Sequence, residues 1–358
     1  FAFTCTVSSL DPALLLRAPA AQSPTRLSGQ MQAQGELRPR VQAQVRLNLT
    51  DSTALGRPMQ GQVQLDFRPD DSVRIDAALG LRRATLTARG TLSGVSGDAT
   101  QAIVLTLDAP DLAELGTPLE LSAPLHGTLK ARAKSSGAWR TPAIEASVDM
   151  EALRLGEQSI KSIAARLNYS GGTEGMLAFK VEAQEHQHPR GAAFSLTRAT
   201  LSAQGTLPAL HVEATGTTRS GATLALRASG QRVAGQSAWQ GSLDALSVDS
   251  PLEAQLIAPA PVLLALDHFA VGPLALKVHD GRVSDVLIDI RPHQLETRGR
   301  FDALSIPMSG NNDEPRLTLR GQWSLRAAEA LDAALHVERI SGDVHSGPST
   351  RRVHMGLS

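Results

Sequence analysis

A chain of 358 residues with 35 Lys and Arg against 35 Asp and Glu carries no formal net charge, which argues against a nucleic-acid binder, since such a protein normally shows a basic excess or stripe. Its single cysteine, Cys5, excludes an internal disulfide framework and any cysteine-rich metal site. Aromatic residues are only 3% of the composition, so the apolar surface this chain builds is aliphatic.

Residues 1–37 start mid-pattern and include a Pro-led apolar turn, Asp11-Pro-Ala-Leu-Leu-Leu16. Val41, Ala43, Val45, Leu47 and Leu49 then alternate with Gln42, Gln44, Arg46 and Asn48. Strand side chains point alternately to opposite faces, so this spacing predicts a strand with one aliphatic and one wet face. After a turn over 51–58, Val63, Leu65 and Phe67 alternate against Gln62, Gln64 and Asp66. Asp70-Asp71 punctuates, and the pattern resumes through Val73, Ile75, Ala77 and Leu79, then Leu86 and Ala88, then Ile103, Leu105 and Leu107. Residues 108–115 break the rhythm and predict one helical turn capped by Asp108 or Asp111.

Strands resume over 125–133, 143–150, 160–169 and 176–183, with a polar hairpin tip at 184–191. Alternation recurs at 201–207, 210–214, 224–228 and 239–243, before a second Pro-broken apolar segment, Leu252–Ala265. Residues 274–278, 283–290 and 295–301 read as further strands, and 306–315 as a long loop. In Arg316–Arg326, Leu317, Leu319, Trp323 and Leu325 share one parity, while Thr318, Arg320, Gln322, Ser324 and Arg326 share the other. Residues 327–335 read as strand in spite of some helical propensity. The sum is an all-β chain of about twenty strands of roughly six residues, joined by polar turns into an antiparallel meander. No short fixed period marks a propeller or solenoid. The expected organisation is a groove-forming segment over 1–305, a loop at 306–315, and a truncated continuation of the same sheet over 316–358. The chain opens on Phe1 and reads as a piece of something longer. Its longest uncharged apolar run, Leu256–Leu266, contains Pro259 and Pro261 and is about half the ~20 residues of a membrane span.

Motifs of catalysis are absent: no phosphate-binding or dinucleotide-binding glycine loop, no G-x-S-x-G and no H-E-x-x-H. Gly235-Gln-Ser-Ala-Trp239 approaches the nucleophile elbow but has Trp where the second glycine belongs. His186 and His188 are spaced for one strand face but sit in a charged turn before Pro189, so a solvated loop is the better reading. Asp285 and Asp289 share a parity, which suits a solvent-facing row. These observations predict no enzyme, no cofactor and no metal.

An antiparallel sheet with one greasy face must bury it against helices, another sheet, itself or a ligand. Helices are too few, an outer-membrane barrel would need aromatic girdles, and four Asn in all cannot build the ladders of a β-helix. What remains is a sandwich pair or one long curled sheet with an open hydrophobic groove, here expected as a trough of roughly 100 Å from about twenty strands at ~4.8 Å. Aliphatic lining without polar anchors suits acyl chains. A phospholipid exposing ~30 methylenes at ~0.8 kcal/mol each meets a barrier of order 25 kcal/mol in water, and a trough removes it.

Several stretches point to a family: Trp239-Gln-Gly-Ser-Leu243, Ser250-Pro-Leu-Glu-Ala-Gln-Leu-Ile-Ala-Pro-Ala260, Leu319-Arg-Gly-Gln-Trp-Ser-Leu325, Arg339-Ile-Ser-Gly-Asp343, Leu107-Asp-Ala-Pro-Asp-Leu112 and Leu125-His-Gly-Thr-Leu129. On these the chain resembles the middle part of the TamB family, the translocation and assembly module subunit, within the AsmA-like group of bridge-like lipid transfer proteins. The resemblance covers nearly all of the chain. It implies a periplasmic β-taco of a Gram-negative bacterium, tethered to the inner membrane by a segment outside this one. It also implies phospholipid movement to the outer membrane and outer-membrane protein assembly with the barrel partner TamA.

The resulting expectation is a non-enzymatic lipid conduit whose partners are phospholipid acyl chains. The groove residues are Val45, Leu47, Leu49, Val63, Leu65, Phe67, Leu224, Leu226, Leu317, Leu319 and Leu325. Trp239 and Trp323 mark groove rims or strand bends, or pack in a core. Alternatives are an ordinary sandwich core, a chaperone-like scaffold for outer-membrane strands, and a β-helix enzyme acting on polysaccharide.

Overall fold

The structure, a computed structural model, describes residues 1–10, 25–36, 41–54, 57–94, 99–115, 125–172, 174–187, 195–233, 238–249, 253–265, 267–307, 316–328, 330–342, 344–345 and 352–353. It is all-β, with twenty-two strands hydrogen-bonded into antiparallel sheet and a separate small hairpin of Val344–His345 with Arg352–Val353. One 3-10 turn, Leu112–Leu115, interrupts the strands. It is the helical turn expected after residue 108, and Asp111 caps it by accepting from the Ala113 N–H at 3.0 Å. The chain divides into two compact units, Phe1–Ser202 and Ala203–Ser358.

Unit 1 contains β1 (Ala2–Leu10), β2 (Leu27–Glu36), β3 (Gln42–Ala54), β4 (Arg57–Phe67), β5 (Ser72–Leu81) and β6 (Ala84–Ser93). It continues with β7 (Thr100–Ala109), β8 (Leu125–Ala138), β9 (Ala143–Leu155), β10 (Gln158–Tyr169) and β11 (Met176–Gln187). Each strand pairs with the next in sequence, a pure meander. Two-residue connections set the register where they occur. Leu81 pairs with Ala84 around Arg82, and Leu155 with Gln158 around Gly156, both loops entering the left-handed region at the first residue. Most strands outrun the lengths read from their apolar cores. β3 has 13 residues and β8 has 14, because backbone pairing continues past the last apolar side chain.

The division between units falls within β12 (Leu196–Thr206). Unit 2 then holds β13 (Ala209–Thr218), β14 (Thr223–Arg232), β15 (Ala238–Asp249), β16 (Ala254–Leu256) and β17 (Ala260–Ala265). After these come β18 (Phe269–Val278), β19 (Gly281–Arg291), β20 (Gln294–Pro307), β21 (Arg316–Ala327) and β22 (Leu331–Ser341). The Pro-broken segment of the sequence becomes one strand position filled twice. β16 and β17 both lie between β15 and β18, parted by a bend at Ile257-Ala258-Pro259. The Ile257 N–H still donates to the Ala275 carbonyl at 2.9 Å, but Pro259 supplies no amide donor and the regular ladder is interrupted. Where the sequence reads one strand over 327–335, the structure ends β21 at Ala327 and begins β22 at Leu331, and the Ala328 N–H donates to the Ala330 carbonyl at 3.1 Å. The Pro-led turn at 11–16, His188, and 308–315 of the expected loop lie outside the described residues; β20 runs to Pro307, which pairs with Arg316.

Candidate functional site

Cross-strand register decides whether separate greasy ribbons merge into one surface. In unit 1 they do. Val45 sits opposite Leu65 and Leu47 opposite Val63, while Phe67 faces Ala43 and Leu49 faces Gly61. The rows run on: Leu65–Ile75 and Val63–Ala77 across β4–β5, Ala77–Ala88 across β5–β6, Ala88–Leu105 across β6–β7. They continue through Leu105–Ala133, Ala133–Ala146, Ala146–Leu167 and Leu167–Phe179 to β11. All six groove residues expected in this unit therefore share one face. Only Leu49 is buried, at 5% exposure; the other five are half-buried.

Unit 2 repeats the construction with a tighter interior. Leu226 pairs with Leu246, Leu243 with Ala260, Val262 with Val271, and Leu274 with Val286. Leu243, Ala260, Val271, Leu274 and Val286 form a buried cluster, and Leu226 and Trp323 pack against it. Further along the same face Leu304 lies opposite Leu319, Ile306 opposite Leu317 and Thr297 opposite Leu325. Leu317, Leu319 and Leu325 are half-buried, and Leu224 is 43% exposed. Among the described residues no large side chain in either unit is fully buried.

The tryptophans lie on glycines. Gly230 and Gly241 are paired across β14–β15, and a Cβ on either would strike the Trp239 ring. Trp323 likewise covers its cross-strand partner Gly299 and stacks on Phe301, with ring centroids 6.5 Å apart. A missing side chain on one strand leaves a slot that an indole from the next fills. The Trp323 indole N–H donates to Thr297 Oγ1 at 3.4 Å, whereas the buried N–H of Trp239 has no acceptor among the described residues.

The ion pairs of unit 2 are dispersed. Asp285 pairs with Arg300 at 3.5 Å, and Asp289 separately with His268 at 3.1 Å and Arg291 at 3.0 Å. Burial pushes the Asp289 carboxyl up, but hydrogen bonds and charge from His268 and Arg291 outweigh it and hold the group below its ordinary range. At Glu338, hydrogen bonds from His336 and Arg320 do the same. Among the described residues no His, Cys, Asp and Glu cluster could hold a metal ion. No helix there is long and apolar enough to cross a membrane. The Arg339-Ile-Ser-Gly stretch is a turn device, since the Arg339 guanidinium donates to the Gly342 carbonyl at 3.2 Å. Asp343, and Gly235 to Ala238 of the elbow-like stretch apart from Ala238 itself, lie outside the described residues.

Residues 4–270 match the family model described as "TamB, N-terminal domain". The chain belongs to the TamB family. The match covers most of the chain and is to a domain described as N-terminal, while the sequence resemblance was to the family's middle part. Neither a curated protein nor a solved structure gives a match. Membership supports a role in the translocation and assembly module and in outer-membrane assembly. TamB family proteins are non-enzymatic, periplasm-spanning components anchored to the inner membrane and associated with TamA.

Sequence reasoning missed the bulges that rescue the face. In β3 the register steps between Leu49 and Ser52, placing Ser52 on the apolar parity. Ser52 is 2% exposed, and its hydroxyl donates to the Ser28 carbonyl while accepting from the Ser28 N–H. Similar steps occur at Ser284/Leu287 and Phe301/Leu304. A bulge inserts one residue and restores phase, so strict alternation read from sequence fails there by design of the backbone.

Proposed function

We propose that this chain is a non-enzymatic lipid conduit, carrying phospholipids between inner and outer membrane in the periplasm of a Gram-negative cell. The observation that carries the reading is the register. Across the successive strand pairs from β3 to β11 and from β14 to β21 aliphatic side chains line up, and most of them stay half-exposed. A sealed sandwich would bury such residues, since covering a Leu or Phe side chain gives about 1.5–3 kcal/mol. Val45, Leu47, Val63, Leu65 and Phe67 in unit 1, and Leu224, Leu317, Leu319 and Leu325 in unit 2, form the lining. An acyl chain needs no directional partner, so it slides along such a wall at little cost. Trp239 and Trp323 fill glycine slots at strand bends of this wall.

The test is lipid analysis of the purified chain by mass spectrometry, with and without Leu47→Arg. Wild-type protein is expected to carry phospholipid, and the variant to lose most of it while keeping its β circular-dichroism spectrum. A lipid-free wild type, or a folded Leu47→Arg chain with undiminished lipid, sinks the proposal.

A second reading is favoured by β22. Among the described residues it pairs only with β21, and Leu331 and Leu335 on it are 71% and 70% exposed. An open strand edge of this kind suits β-augmentation by outer-membrane strands in concert with TamA. Crosslinks from Leu335 to unfolded barrel substrates, in lipid-free protein, would select it.

A further inference from the structure

The wet face of unit 2 holds a hollow of about 740 Å³ that the apolar wall does not explain. Its origin is a mismatch of side-chain length. Ser324 and Ala334 are direct partners across β21–β22 and form a low floor. Arg298 stands opposite Ser324, Arg300 opposite Gln322, and His336 beyond Gln322, all longer than the floor residues. Two arginines thus project from the same face of β20 about 6.6 Å apart along the strand. Gln322, Ser324 and His336 stand beside them, and Asp285 is the one carboxylate among the described residues of the lining.

The charge at the hollow is unevenly answered. Arg300 has Asp285 at 3.5 Å, delivered by the bulge between Ser284 and Leu287, where Asp285 takes φ 54°. His336 Nε2 lies 3.0 Å from Glu338 Oε1. Arg298 faces Leu287 on one side and Ser324 on the other, and no carboxylate reaches it among the described residues. Gln322 and Ser324 are exposed neutral donors beside it.

We propose that this hollow binds a phosphate ester or phosphate ion. One guanidinium fork satisfies both oxygens of a carboxylate, whereas a phosphate offers further oxygens for the Ser324 hydroxyl and the Gln322 amide. The volume exceeds a bare anion and leaves room for the ester's substituent, so the source is free phosphate or a lipid headgroup. Arg298, Arg300, Gln322 and Ser324 lie on the parity opposite the acyl wall, while Gly299, Trp323 and Leu335 of the wall parity complete the lining, and the proposal does not rest on the conduit reading.

Calorimetric titration of the 358-residue chain at low ionic strength tests it, with inorganic phosphate in one arm and dihexanoyl phosphatidylglycerol below its micelle concentration in the other. Arg298→Gln is expected to weaken binding about tenfold or more. Arg300→Gln should weaken it less, because Asp285 already answers that charge. Ala334→Glu raises the floor with a repelling carboxylate and should abolish binding. All three positions are exposed, and unchanged circular dichroism and melting would show the fold intact. Saturable binding in both arms, lost in Ala334→Glu, supports a general phosphate site; binding of the lipid alone supports a headgroup site. Absence of saturable binding in both arms, or an Arg298→Gln affinity equal to wild type, overturns it.

Discussion

Unit 1 around Leu47 and unit 2 around Leu274 are built from the same two-residue alternation, yet they bury it differently. Leu274 is 6% exposed and sits among Leu243, Ala260, Val271 and Val286, a true cluster. Leu47 has aliphatic neighbours across both of its strand pairs, Met31 and Val63, but stays half-exposed. Identical patterning therefore serves two ends. One stretch of the face closes into a packed cluster, and the other leaves its aliphatic side chains half-exposed. Register shifts lie beside both stretches, at Ser284/Leu287 and Val271/Leu274/Leu276 near the cluster and at Leu49/Ser52 near Leu47, so a bulge by itself does not set the contrast.

The largest effect expected from this contrast comes from charge. Leu274→Arg buries an unpaired cation and should unfold unit 2, at a cost of several kcal/mol. Leu47→Arg should leave the chain folded, because its guanidinium can reach water along an open wall. Leu226→Arg should behave as the former, since Leu226 packs against the cluster. Limited proteolysis and circular dichroism separate these outcomes, and equal damage at Leu47 and Leu274 would erase the distinction.

A gentler version uses truncation. Leu243→Ala should lower stability by about 2–5 kcal/mol, the usual range for a buried leucine. Leu47→Ala should cost about 1 kcal/mol, because much of its surface is already wet. Denaturant midpoints read the difference directly, and near-equal shifts would argue for a uniformly sealed core.

The smallest effect concerns the ion cluster that ties the β17–β18 turn to β19. Asp289 is held below its ordinary range by His268 and Arg291, so its contribution is present above the unfolded carboxylate pKa of about 3.9 and lost as pH falls through the lower folded value. Asp289→Asn should cost about 1 kcal/mol near neutral pH. It should also flatten the acid limb of the unit 2 melting curve below about pH 4. A variant whose melting temperature falls as steeply as wild type over that window would assign the acid limb elsewhere.

Much of the fold was legible because strand periodicity is local. The side chains of Val45, Leu47, Leu49, Val63, Leu65 and Phe67 choose a face from their parity alone, and the short polar turns between them leave an antiparallel meander as the simple outcome. That these six residues share a face was legible for the same reason. The hollow over Ser324 and Ala334 was not, although an Arg-x-Arg pair beside short polar positions is a signal that strand pairing makes readable.

Sequence by itself determined the all-β class, the two-faced ribbons, the absence of catalytic motifs and the family. Three things waited for tertiary structure. These were the register that places Leu47 beside Val63, the bulges that return Ser52 and Leu287 to phase, and the split between a buried Leu274 and a half-open Leu47. The physical reason is range. Which face a side chain takes follows from its own backbone, whereas what covers it depends on strands brought alongside from elsewhere in the chain.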